Sequence, residues 1–281
     1  MMKFLIGLLL SVGIAFLAYR AHALNRSGSI AAGVLGTIVF GLGGVGWAVV
    51  LLTFFISSSG LSVLFSKLKL SVDQNFAKGS RRDAGQVTAN GGVAGVLALA
   101  FFLFSRFAPG SSWVSILWIG FAASLAGANA DTWGTELGVL NPRQPLLLTT
   151  FKRVPKGTSG GVSLVGSLAV LAGAGLVGGA AVLVGLLGWA PVGELPPWIQ
   201  FGAITGSGLI GAFVDSYLGA TFQAIYFCPS CGKETERHPL HSCGACTTLK
   251  RGLKWLNNDW VNAACTFSAG ILGMLSGMIL N

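Results

Sequence analysis

Three aspartates stand where a membrane-length apolar run meets a polar one: Asp131 in ANADTWGTELG, Asp215 in GAFVDSYLGATFQ and Asp259 in NNDWVN. Each has Asn, Ser or Thr beside it, and Glu136 follows Asp131 in the same stretch. A carboxylate within or at the edge of a bilayer is costly, faces protein or water, and is a functional candidate by default. One such acid is as readily a solvated helix-end residue or an ion-pair partner. Three together, each flanked by amides or hydroxyls, favour a site. Carboxylates hold Mg²⁺ through one or two contacts while substrate phosphates fill further positions. Asp131 and Asp215 are the candidates for magnesium, with Asp259, Asn258 and Asn262 as further site groups and Glu136 ranked below them. At helical spacing Asp131 lies nearly opposite the stripe that carries Glu136, so a continuous helix is expected to keep the two out of one site. Asp215 shares a face with Gly211 and Gly219, so another helix or a ligand is expected to come close beside it.

A second chemical element is FKRVPKGTSGGVS, Phe151 to Ser163. Basic residues precede a Gly/Ser/Thr turn that opens into an apolar run. A helix N-terminus offers free N–H groups and a positive dipole end, which together bind phosphate. Gly157, Thr158, Ser159 and Gly160 would bring backbone to the anion, and Lys156 and Arg153 would add charge. The order of a Walker A loop is absent. The plainer reading is a basic loop held against lipid headgroups. Upstream, KLKLSVDQNFAKGSRRDAGQVTANGG carries Asp73, Asn75, Lys78, Arg81 and Arg82, and Lys78 and Arg81 are further candidate nucleotide or phosphate contacts.

The third element is CPSCGKETERHPLHSCGAC. Cys228, Cys231, Cys243 and Cys246 form two C-x₂-C knuckles that suit tetrahedral Zn²⁺ held by four thiolates, a structural site with no open position. His238 or His241 replacing one ligand would change that set. Cys265 lies within an apolar run and reads as a packing residue.

These residues must be positioned by membrane helices. Of the 281 residues, 53% are hydrophobic and 10% charged, far below the roughly one-quarter charged that a soluble domain carries. Several runs reach the ~17–25 residues a bilayer-crossing helix needs. The fold class expected is all-α, a polytopic membrane protein of about eight transmembrane helices over residues 1–281, with a small cytoplasmic zinc ribbon inserted at 228–246. The spans read as 2–19, 29–43, 45–65, 89–107, 113–129, 161–188, 199–224 and 260–280, with GLGGVG as the reason to divide 29–65. The sixth is long enough to be tilted or broken. No A-x-A-like cleavage site followed by a soluble domain marks the N-terminus as a signal, so it reads as the first span, with no transit segment expected before it.

Four alternate loops hold 16 of the 18 Lys and Arg residues, with Lys3 and Arg106 as the exceptions. Positive loops stay cytoplasmic, which places both termini outside and the acids on the cytoplasmic face of what is expected to be a prokaryotic plasma membrane. The net charge of +9 is mostly this signal. It suits anionic lipids or a phosphorylated substrate and gives no specific sign of nucleic acid. A homo-oligomer is compatible with the composition.

The ordered set KGSRRDAGQVTANGG, NADTWGTELGVL, FKRVPKGTSGGVSLVGS, DSYLGATFQ and NNDWVN covers nearly the whole chain. It resembles the motifs of a membrane family long catalogued as a domain of unknown function, whose characterised members are plant and cyanobacterial phytyl-phosphate kinases. The resemblance implies phosphoryl transfer from a nucleotide, CTP before others, to a prenyl phosphate such as phytyl phosphate, giving the diphosphate that in tocopherol makers feeds prenylation of an aromatic head group. The acid followed by a Lys–Gly-rich turn is more loosely similar to CTP-dependent polyprenol kinases and phosphatidate cytidylyltransferases. The reading is therefore an Mg²⁺-dependent membrane kinase with a structural Zn²⁺, acting on a prenyl phosphate lipid and a nucleotide. Its rivals are a transporter or lipid flippase with carboxylate ion sites, for which a broken sixth helix would speak, and a cytidylyltransferase.

Overall fold

Each apolar run folds as a helix that closes its own backbone hydrogen bonds, as lipid requires. The computed structural model describes residues 2–65, 78 and 81–280 and contains eight helices long and apolar enough to cross a membrane among them. They are α1 (Met2–Arg20), α2 (Arg26–Ile38), α3 (Val45–Leu64), α4 (Ala84–Phe107), α5 (Trp113–Gly138), α6 (Leu164–Leu186), α7 (Pro197–Thr221) and α8 (Asn258–Leu280). Asp73 and Asn75 of the basic loop lie outside the described residues.

A π-helical turn, Val39–Gly43, prolongs α2, and the chain breaks at Gly44, whose φ of 92° favours glycine. That is the division expected from GLGGVG. The start of α4 lies earlier than hydropathy suggests because Asp83 caps it. The Asp83 carboxylate accepts from the Gln86 N–H, and the Gln86 side chain accepts from the Asp83 N–H, a capping box that satisfies two end groups at once. α6 runs unbroken, so a discontinuous sixth helix is not observed.

The largest departure from expectation is α5. It was expected to end at 129 and continues to Gly138. Its membrane window is 89% buried, against 22–39% for the other seven. α3, α4, α6, α7 and α8 surround it. Small residues permit this: Gly127 packs on Ala269 of α8, Ala126 on Gly208 of α7, and Gly134 on Val170 of α6. Small contact residues let helices approach closely in lipid, where packing drives association. Trp47, Phe101, Trp118 and Phe121 close the other end of the bundle, with ring centroids 4.3–5.8 Å apart.

Two small antiparallel sheets stand at the loop-bearing end. β1 (Leu146–Leu147) pairs with β2 (Gly161–Val162), Leu146 opposite Val162, and frames the Gly/Ser/Thr turn just before α6. β3 (Ile225–Cys228), β4 (Lys233–Thr235) and β5 (Thr248–Arg251) form a sheet in the order β4-β3-β5 between α7 and α8. Tyr226 stands opposite both Thr235 and Leu249.

Candidate active site

A polar cavity of about 330 Å³ opens at the end of the bundle that carries these sheets. The first turns of α4 and α8, the last turns of α5 and α7, and the loop leading into α6 line it. Asp131 and Asp215 enter it from α5 and α7, and their carboxyl groups interact directly. Asp215 Oδ2 is buried and has no hydrogen-bond partner. Among the described residues neither acid forms an ion pair. Two facing carboxylates with a buried oxygen left over repel each other and are costly. A divalent cation would relieve both costs, and a hard oxygen pair is the donor set Mg²⁺ takes from protein.

The glycines beside Asp215 do what their spacing suggested. Gly211 lies against Cys265 and Ala269 of α8, and Gly219 lies against Ser159 and Gly160 of the loop before α6. The expected separation of Asp131 from Glu136 is not observed. The cavity curls around the free end of α5, so residues on both of its faces reach it. Glu136 is 8% exposed and accepts from Ser62 Oγ at 2.8 Å.

Across the cavity Lys78 bridges two acids. Its ammonium contacts Asp83 at 2.9 Å and Asp259 at 2.5 Å, tying the cap of α4 to the first turn of α8. Burial opposes the charge on Lys78, yet the hydrogen bonds it donates to Asp259 and Asp83 prevail and raise its pKa. Asp259 Oδ1 is buried and without a partner. Asn258 and Asn262 line the same wall, and Asn257 accepts from the Trp260 N–H at 3.2 Å.

The loop from Lys156 to Ser163 forms the floor. Gly157, Thr158, Ser159 and Gly160 all line the cavity. Lys156 Nζ donates to the Val139 carbonyl at 3.1 Å, which holds the ammonium at the end of α5. Gly160 has φ 80° and presses its backbone on Ala220 of α7, where a Cβ would collide. Ser163 caps α6 by accepting from the Gly166 N–H at 3.1 Å. Ser159 Oγ donates to Gln223 Oε1, and Gln223 Nε2 donates to Glu236 of the β-sheet loop at 2.9 Å. Arg251 of β5 donates to the carbonyls of Gly219 and Ser159.

Arg153 and Arg81, expected at the phosphates, are exposed and do not line the cavity. In each basic pair the partner residue or a neighbour takes the inward place: Lys156 in the first and Arg82 in the second. Sequence reasoning names Arg82 with its loop but chooses Arg81 over it as the phosphate contact. Burial lowers its pKa to about 10, partly offset by the charge of Glu136. Glu236 was missed. It comes from the cysteine loop, and nothing in its sequence surroundings marks it.

The cysteine cluster differs from the expected set by one ligand. Cys228, Cys231, Cys243 and His241 place their ligand atoms within 4.8 Å of one another, close enough to hold a metal ion, and Cys246 is not among them. Cys246 bridges Leu240 across a tight turn closed by the His241 N–H to the Ala245 carbonyl at 2.9 Å. Neighbouring residues in extended chain face opposite ways, so the register that engages Leu240 with Cys246 turns His241 toward the other three. The hydrogen bond from His241 holds the Cys243 thiol down at about 6, on its way to the thiolate a metal needs.

Residues 9–270 match the integral membrane protein family DUF92. The chain belongs to that family. The match agrees with the family resemblance read from the sequence motifs. Relatives of this DUF92 protein include Protein PGR of Arabidopsis thaliana, 36% identical over 80% of this chain and 81% of that one. An uncharacterized membrane protein of Methanocaldococcus jannaschii is 28% identical over 98% of this chain and 94% of that one. The chloroplastic protein VTE6 of Arabidopsis thaliana is 26% identical over 90% of this chain and 65% of that one. No solved structure matches the chain.

For a DUF92 protein this end of the bundle offers three tools in one cavity. The Asp131–Asp215 pair is suited to a divalent cation, the loop before α6 presents backbone N–H groups with a helix dipole behind them, and Lys156 and Arg82 supply fixed positive charge. Cations and helix N-termini arranged around an anion are the tools of phosphoryl transfer.

Proposed function

We propose that this DUF92 protein is a membrane kinase that transfers a phosphoryl group from a nucleoside triphosphate, CTP before others, to an isoprenoid monophosphate such as phytyl phosphate. The observation that carries this reading is one cavity joining a pair of facing acids, which no Lys or Arg pairs with among the described residues, to a glycine-rich helix N-terminus at the end of a membrane bundle. Kinship with the phytyl-phosphate kinase-like family supports it.

Asp131 and Asp215 would hold Mg²⁺, and Glu136 faces the same space. The ion, when bound, supplies neutralising charge to phosphate oxygens. The loop from Gly157 to Gly160 and the first N–H groups of α6 bind the donor phosphates and fix their orientation. Lys156, anchored on Val139, holds its ammonium beside them. Asn258 and Asn262 line the opposite wall and orient the acceptor, with Asp259 held beside them by Lys78. In the transfer an acceptor phosphate oxygen bonds to the γ-phosphorus as the bond to the bridging oxygen breaks, leaving a nucleoside diphosphate and a prenyl diphosphate. The acceptor is already an anion, so no side chain need remove a proton from it.

The positive loops favour the cytoplasm for this end, where nucleotide is found, with both termini outside. The cluster of Cys228, Cys231, His241 and Cys243 is assigned to structural zinc. Its strands reach the site through Glu236 and Arg251, so the ribbon steadies the phosphate loop.

The test uses purified protein in nanodiscs with Mg²⁺, labelled CTP or ATP, and phytyl, geranylgeranyl or undecaprenyl phosphate. Prenyl diphosphate formed by wild type and lost in Asp131→Asn is the expected result. No turnover with any pair, from folded and zinc-loaded protein, overturns it. Release of pyrophosphate with CMP transfer would instead identify a cytidylyltransferase.

A further inference from the structure

A second cavity, about 80 Å³, lies behind the first, and Arg82 and Asn90 line both. Its other walls are apolar and come from α1, α2, α3 and the start of α4. Small side chains create the space: Ala15 and Ala18 of α1, Ala32 and Gly36 of α2, and Ala48 of α3. From Ala18 to Ser11 the groove follows α1 for seven residues, about 10 Å at the helical rise. α1 and α2 turn exposed apolar residues outward, Leu9, Leu17, Ile30 and Val34 among them, so the groove adjoins the lipid-facing surface.

Arg82 stands at its polar end. The Arg82 backbone is fixed to the α1–α2 turn, its N–H donating to Ala23 and its carbonyl accepting from Asn25, both at 3.0 Å. The side chain turns inward, donates to Ser58 Oγ at 2.9 Å and lies over the Phe54 ring at 5.3 Å. Glu136 lines the same cavity and its charge acts on Arg82 from beyond ion-pair distance. A buried guanidinium in such surroundings is costly unless an anion joins it, and its planar fork of donors matches a phosphate. One charged donor, one wet cavity and one dry groove thus meet at a single residue.

We infer that the groove receives the first part of the isoprenoid chain of the lipid substrate, and that Arg82 holds its monophosphate at the boundary with the transfer cavity. The identity of the chain rests on the kinase reading; the geometry asks for an apolar chain that ends in a phosphate. The remainder of the chain lies in the bilayer beside α1 and α2. Arg82 is then a binding residue for the acceptor, and the small residues of α1 and α2 set which chains enter.

The probe is geranylgeranyl monophosphate bearing a diazirine on its first isoprene unit, photolysed with the protein in nanodiscs and mapped by mass spectrometry. Adducts are expected on α1, α2 and α3 residues facing the groove. Arg82→Gln should reduce labelling by the monophosphate about tenfold, as loss of a charge-assisted contact does, and leave labelling by the matching alcohol unchanged. Ala32→Phe should reduce both, whereas Leu52→Ala, which enlarges the groove, should preserve or increase both. Adducts confined to α5–α7 or to the outer surface, or labelling indifferent to Ala32→Phe in folded protein, overturn the assignment. Groove adducts on protein that turns over no nucleotide sink the kinase reading and leave the groove standing. Turnover with adducts elsewhere does the reverse.

Discussion

Two pairs of acids stand at the same end of the bundle, and they are built differently. Asp83 and Asp259 have their cation supplied by the chain, with Lys78 between them. Asp131 and Asp215 interact with each other, and no Lys or Arg pairs with either among the described residues. Residue type is the same, but Asp83 and Asp259 keep part of their surface exposed while Asp131 and Asp215 are more deeply enclosed. What separates them further is whether the neutralising charge is covalently part of the protein. A pair with its own lysine clamps α4 to α8. On the proposed reading, a pair without one is arranged for a charge that arrives with substrate.

The sharpest way to break this contrast is to remove one open acid. Asp131→Asn or Asp215→Asn should cut turnover by about a hundredfold or more, the scale of losing charge stabilisation in a transition state. Mn²⁺ affinity, read by paramagnetic resonance, should fall with it, while thermal stability holds or rises because a like-charge contact is gone. Wild-type turnover and Mn²⁺ binding in both variants would erase the distinction. A smaller effect is expected from the cysteine cluster, which touches only the open side through Glu236 and Gln223. Cys243→Ser should release zinc and weaken Mn²⁺ binding about tenfold, a loss typical of disturbing groups that orient ligands. Cys246→Ser should retain the zinc, as metal analysis can show.

The clamped pair should respond in stability instead. Asp259→Asn is expected to cost about 1 kcal/mol, discounted for partial exposure of both side chains, with Mn²⁺ affinity unchanged. A fall in Mn²⁺ affinity equal to that of Asp131→Asn would move Asp259 into the open set. The weakest effect is on pH. Burial opposes the Asp83 charge, but the Gln86 N–H and Lys78 hold its carboxyl below the ordinary 3.8. Its contribution is full above that value and is lost as pH falls through the lowered one. Lys78, raised above the ordinary 10.5, contributes fully below that value and loses its effect as pH rises through the raised one. Amide exchange in the first turn of α4 should therefore stay flat through the neutral range and quicken only at the two extremes.

The spans were legible because crossing lipid imposes length and apolarity on the sequence itself, and the break at Gly44 was legible from its glycines. The end of α5 was not. Asp131, Thr132, Thr135 and Glu136 look like a chain leaving the membrane, yet the helix continues through them along the wall of a cavity, with Ser62 of α3 donating to the buried Glu136. Asp131 and Asp215 could be singled out from their depth and neighbours, but their contact joins segments more than 80 positions apart. Which member of a basic cluster turns inward depends on backbone anchoring such as the Arg82 bridge to the α1–α2 turn, and sequence spacing carries no trace of it. His241 in place of Cys246 has the same origin: a turn decided the ligand after composition had narrowed the choice.

The enclosure of α5 also bears on how the molecule comes into being. A helix whose membrane window is 89% covered by other helices can enter the bilayer by itself, but its polar last turns have no suitable neighbours until α6, α7 and α8 have been synthesised and have docked. Asp131 waits on Asp215, and Asp215 waits on a loop and a sheet that close after it. A chain interrupted before α8 would thus sit in the membrane with the cavity incomplete, and on the kinase reading proposed above, capture of a nucleotide analogue would mark the moment at which biogenesis is complete.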